Sequence, residues 1–144
     1  MKRLFATLAL AAFAVFALAQ SNPNTSTVLL PSAARTAATV NSADQNNFSW
    51  RCLHAIVNVS AYTSGAYTPH IQAAIPATPT VYYDILVATP SITATGVTVL
   101  KVCPDGVPLT GASAADFLPR VWRVQMIGTA TPSMTFSVSG YLGN

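Results

Sequence analysis

The chain has 144 residues, 51% of them hydrophobic and only 8% charged, with seven Lys and Arg, four Asp and no Glu. That composition excludes an intrinsically disordered chain, which lacks the apolar surface to hold a core, and it suits a single domain. The formal net charge of +3 comes from scattered cations, whereas nucleic-acid binders cluster Lys and Arg to displace phosphate counterions.

Residues 1–19 read as an export label. Lys2 and Arg3 form a positive start, an uncharged apolar run follows from Leu4 to Leu18, and Ala17-Leu18-Ala19 precedes Gln20 as a small-residue cleavage signal. The run is shorter than the ~20 residues that span a bilayer, so cleavage after Ala19 is expected rather than a permanent membrane anchor. An uncleaved apolar arm is the alternative. Loss of Lys2 and Arg3 would leave Arg35, Arg51, Lys101, Arg120 and Arg123 against Asp44, Asp84, Asp105 and Asp116, a net charge of +1.

Residues 20–26 are polar and read as a linker or N-terminal arm, with a folded domain over 27–144. A first strand follows near TVLL, Ala34–Val40 is a second, and Asn41–Asn47 is a polar loop by composition. The strongest strand runs from Trp50 to Val59: Leu53, Ala55, Val57 and Val59 share one face, and Cys52, His54, Ile56 and Asn58 the other. Further period-two alternation marks Val81–Ala88, Val97–Val102 and Thr135–Leu142. A short helical turn is predicted at Ala112–Phe117. The tetrads Ala77-Thr78-Pro79-Thr80, Ala88-Thr89-Pro90-Ser91 and Ala130-Thr131-Pro132-Ser133 read as strand connections, because proline presets φ in a turn. The predicted architecture is all-β: a single antiparallel β-sandwich, jelly-roll or immunoglobulin-like, of about seven to eight strands.

Cys52 and Cys103 either pair or remain two separate strand cysteines. Export would place them in an oxidising compartment where a disulfide forms. Before the final strand, LPRVWRV puts Pro119 at a strand entry, where its missing N–H costs nothing. Trp122, Val124 and Met126 share one face; Val121, Arg123, Gln125 and Ile127 share the other. Arg120, on the tryptophan's parity, is expected to close over its ring at the core edge, with Asp116 as an ionic partner.

Catalytic chemistry is thin. His54 and His70 have no metal-ligand spacing to Cys or Asp, and neither CxxC nor HExxH occurs. There is no G-x-S-x-G elbow, no glycine-rich phosphate loop, and too few acids for a persuasive glycosidase pair. No catalytic, cofactor or metal residue is assigned. Of the sequons at Asn24, Asn47 and Asn58, none exceeds what a Ser/Thr-rich chain produces by chance. Tyr62, Tyr67, Tyr82, Tyr83 and Tyr141 could form a sugar-stacking platform, or pack in the core or on a neighbouring subunit.

Five blocks carry a likeness: TVLLPSAARTA (Thr27–Ala37), the strand containing Arg51 and His54, TATGVTVLKVCP (Thr93–Pro104), LPRVWRV (Leu118–Val124) and TFSVSGYL (Thr135–Leu142). In that order the chain resembles a family of small all-β virion structural proteins of tailed bacteriophages, decorating heads or associated with tails. The resemblance covers most of residues 27–142 and contains no catalytic motif. It implies a non-enzymatic protein in a virion that assembles with copies of itself or with capsid or tail proteins. The leader and the two cysteines depart from that pattern and make an exported bacterial surface or filament subunit the alternative to the virion reading; a carbohydrate-binding module is the weaker alternative.

Overall fold

The computed structural model describes residues 25–77, 80–105 and 111–143. The expected export label and most of the expected arm therefore lie outside the described residues. Among the described residues there are eight strands: β1 (Thr25–Arg35), β2 (Thr39–Asn41), β3 (Gln45–Asn46), β4 (Cys52–Ile75), β5 (Val81–Val87), β6 (Gly96–Val102), β7 (Ser113–Ala114) and β8 (Val121–Gly143). They form one hydrogen-bonded sheet with the path β1-β8-β4-β6-β7, to which β2 and β3 add on β8 and β5 adds on β4. The protein is all-β, but the sheet is mixed, because β7 runs parallel to β6. The expected helical turn at Ala112–Phe117 is where β7 forms. Lys101 N donates to Ala112 O (2.9 Å) and Cys103 N to Ala114 O (3.1 Å), so the segment is drawn alongside β6 instead of coiling.

Two long strands organise everything else. β4 and β8 pair antiparallel from Cys52↔Gly143 to Ala73↔Trp122, with irregularities between Val59 and Ala66. Eight residues of straight strand would carry Tyr67 about 26 Å beyond Val59. Yet Tyr67 lies with its ring centroid 5.1 Å from that of Phe136, the residue opposite Val59. The sheet therefore doubles over between these points. Gly65 (φ 74°) and Thr131 (φ 48°) supply left-handed backbone at the bend, where bulges sharpen strand curvature. Gly128 permits the close approach, since a Cβ there would meet Pro132 Cγ at 2.5 Å and Tyr67 Cε1 at 3.0 Å. The tetrad Ala130-Thr131-Pro132-Ser133 is thus a bend inside β8, not a connection between strands.

The bend defines two half-sheets. The first contains β1, the C-terminal half of β8, the N-terminal half of β4, β6 and β7; the second contains β2, β3, the other halves of β8 and β4, and β5. Alternation puts Leu53, Ala55, Val57, Phe136 and Val138 inward from the first, and Tyr67, Ile71, Trp122, Val124 and Met126 inward from the second. These residues belong to one contiguous cluster, joined by Leu29, Leu30, Leu100 and Val102. Tyr67 spends its hydroxyl on Ala37 O (2.8 Å), and burial raises its pKa, with Arg35 pulling the other way.

Local chemistry explains the smaller departures. β1 starts at Thr25, inside the expected arm, because Thr25 and Ser26 pair with Leu142 and Tyr141. The expected loop Asn41–Asn47 contains β3 and ends in a buried clip: Asn47 Nδ2 donates to Trp50 O (2.8 Å) and Leu118 O (2.9 Å), and its Oδ1 accepts from Trp50 N (2.8 Å). Pro69 is tolerated inside β4 because β5 leaves the sheet there, its last ladder partner being His70↔Val87, and Ala88 N still donates to Pro69 O (2.9 Å). Among the described residues no helix is long and apolar enough to cross a membrane.

Candidate functional site

Strand alternation gives each half-sheet one inward and one outward face, and the outward faces are the broadest surfaces open to a partner. Their chemistry differs sharply.

The outward face of the second half-sheet is a polar ladder. Register puts Asn41, Gln125 and His70 in one row and Arg123, Gln72 and Asp84 in the next. Gln72 Nε2 donates to Asp84 Oδ1 (2.9 Å) and Gln125 Oε1 (3.1 Å), Arg123 Nε donates to Gln72 Oε1 (2.9 Å), and Gln125 Nε2 donates to Asn41 Oδ1 (2.9 Å). His70 Nδ1 lies 3.1 Å from Asp84 Oδ1 without a hydrogen bond between them. Arg123 stacks its guanidinium 3.4 Å from the Tyr82 ring centroid. The Tyr82 hydroxyl donates to both Asp44 carboxylate oxygens (3.0 and 2.9 Å), and that hydrogen bond is the main reason its pKa is raised. Apart from His70, the ladder's side chains hydrogen-bond to one another.

The outward face of the first half-sheet carries one mainly apolar row flanked by mixed ones. One row crosses four strands as Val28, Ser139, Ile56 and Val99. The next, towards the chain ends, reads Ser26, Tyr141, His54 and Lys101; on the other side lie Ser137, Asn58 and Val97. Val28 is 64% exposed, Val97 65%, Val99 47% and Tyr141 47%. None of the four aspartates stands on these rows. At the chain-end margin, a shallow cavity of about 350 Å³ is lined by His54, Lys101, Tyr141 and both cysteines. Cys52 and Cys103 are joined there by a disulfide with Cα atoms 4.4 Å apart, a position that follows from the neighbouring pair Leu53↔Val102.

The remaining sequence-selected residues do not converge. Trp122 is fully buried among core side chains, and its Nε1 has no hydrogen-bond partner among the described residues. Arg120 does not close over it: Arg120 is exposed just before β8 begins, where strand parity no longer aims its side chain, and it borders a surface depression with Phe48 and Leu118. Asp116 caps the backbone instead, accepting from Phe117 N at 2.7 Å. The ring-stacked arginine of this strand is Arg123, on the opposite face. The tyrosines are dispersed too: Tyr67 is buried, Tyr82 is under Arg123, Tyr62 is at the bend, and Tyr83 and Tyr141 belong to different half-sheets. Among the described residues no three His, Cys, Asp or Glu side chains group to hold a metal.

The apolar outward row escaped sequence reading because it needs three strand registers at once. Val28 and Val99 are 71 positions apart and share a row only through Ser139 and Ile56. No protein-family model matches the chain, and neither a curated protein nor a solved structure matches it.

Proposed function

We propose that the chain is a non-enzymatic structural subunit of a virion, a capsid-decorating or tail-associated protein of the tailed-phage kind that its sequence blocks resemble, with the doubled sheet serving as the two layers of a β-sandwich. The observation that carries the structural role is the uncharged row in which Val28 and Val99 are exposed and Ile56 is half-buried between them. An apolar patch held out to water on a rigid face marks a protein–protein contact. The opposite outward face supports the same reading, because Asn41, Gln72, Asp84, Arg123 and Gln125 hydrogen-bond to one another in a rigidifying network. The test is quantitative mass spectrometry of purified phage particles encoding this chain. A fixed copy number per particle is the expected result; absence from particles while the chain accumulates outside them would refute the virion assignment.

A second reading, an exported bacterial surface or filament subunit, is favoured by the Cys52–Cys103 disulfide, since such bonds persist in oxidising compartments. It requires a mature N-terminus at Gln20. Intact-mass measurement of the native protein separates the two readings: a chain beginning at Met1 removes the exported one.

A further inference from the structure

We propose that the outward face of the first half-sheet is a homotypic docking surface, on which a second copy of this chain seats face to face across a twofold axis running along the strands between β8 and β4. The proposal deepens the assembly reading above and rests on it.

The argument begins with shape. In strand order the central row reads Val28 on β1, Ser139 on β8, Ile56 on β4 and Val99 on β6. The small, half-buried Ser139 between two larger side chains makes a trough, and Ile56 beside it makes a knob. A twofold between β8 and β4 exchanges these two strands and exchanges β1 with β6. It therefore lowers each Ile56 onto the Ser139 trough of the other copy and sets each Val28 against the second copy's Val99. The row is complementary to itself, which is the requirement for an isologous contact. Aligned sheets pack about 10 Å apart with their side chains interdigitated, a spacing that suits side chains of this size.

Charge agrees with this occupant. The same operation sets Lys101 over the second copy's Ser26 and His54 over its Tyr141, so no cation meets its own copy. In the other flanking row Asn58 meets Ser137, polar against polar. A strongly basic partner would find no carboxylate on these rows, and a strongly acidic one only Lys101 and His54.

Two of the sheet edges compete poorly for the role. β1 is interrupted by two register shifts and by Pro31, and β5 carries a shift opposite Ile71/Gln72. Bulges and proline are the usual protections against edge pairing. The footprint, four strands wide and three rows long, is about 400 Å² per copy. Standard interfaces bury ~800 Å² per partner, so the pair is weak in free solution and gains strength where many copies are held side by side.

Sedimentation velocity over a concentration series tests this on the full chain. Wild type should show a monomer–dimer equilibrium. Val28→Lys alone and Val99→Asp alone should each weaken it by about tenfold or more, because each leaves a charge unpaired in an apolar contact. The Val28→Lys/Val99→Asp double variant should recover most of that loss at low salt and lose it again at high salt, since the two new charges face each other across the twofold. These positions are exposed, and equal melting temperatures serve as the folding control. A chain that stays monomeric to millimolar concentration, single variants that dimerise like wild type, or a double variant as weak as the singles would each overturn the proposal. Co-sedimentation with capsid shells in parallel keeps the two readings apart: a monomeric chain that binds shells loses the homotypic face and keeps its structural role, whereas one that does neither loses both.

Discussion

Replacing Trp122 by alanine probes whether the doubled sheet encloses one shared core. The indole is fully buried, opposite Ala73 on β4 and Gln45 on β3. Truncation to alanine removes about 190 Å² of apolar surface from the interior, worth about 5 kcal/mol at ~25 cal/mol per Å². The indole N–H has no hydrogen-bond partner among the described residues, and deleting an unsatisfied buried donor returns about 1–3 kcal/mol, while the cavity left behind adds a cost. The expected loss is about 3–5 kcal/mol, a fall in Tm of about 12–20 °C for a domain of this size. Trp122→Phe keeps most of the packing and removes the unpaired donor, so it should stay within about 1 kcal/mol of wild type. Urea titration followed by far-UV circular dichroism measures both. A Trp122→Ala variant within 1 kcal/mol of wild type at unchanged m would refute the shared core.

Other expectations follow from single features. The tyrosines 67 and 82 both hold their protons above the ordinary value of 10.0; a raised folded value means stability is intact below pH 10 and declines as pH rises through the folded values. Tyr67→Phe should shallow the alkaline fall of Tm, and an unchanged slope would show that burial of this hydroxyl is not its source. Cys52→Ser/Cys103→Ser opens a loop spanning 51 positions and should cost about 4 kcal/mol by chain entropy; equal urea midpoints for the reduced and oxidised wild type would contradict this. Thr131→Gly relieves a β-branched residue at φ 48° and should stabilise by up to about 1 kcal/mol, whereas a loss in calorimetric Tm would count against strain at the bend.

Much of the core was legible because period-two alternation is local. Leu53, Ala55, Val57 and Val59 announce their face, as do Trp122, Val124 and Met126, and the structure buries all seven. The continuation of β4 through Ser60–Ile75 was not legible. Around the bend Ser60, Ala61, Tyr62 and Thr63 are all exposed, so no apolar rhythm survives, and Pro69 reads as a breaker although the sheet absorbs it. Thr131-Pro132 likewise has turn chemistry, and it does turn the chain, but within a strand. The parallel β7 depends on hydrogen bonds to a partner strand that no local pattern names. For Arg120 the parity argument failed one residue before its strand begins. The outward apolar row was invisible for the complementary reason: each valine sits on an ordinary strand, and only the register assembles them.

The central claim is that this is a subunit built to assemble, and stoichiometric binding to shells tests it most directly. Purified chain, with Cys52–Cys103 intact, is titrated against phage capsid shells or tail tubes and sedimented. The account predicts saturation at a fixed ratio set by the lattice, reduced by Val28→Lys where copies meet. Absence of saturable binding to either particle, at concentrations where the chain is folded, would contradict it.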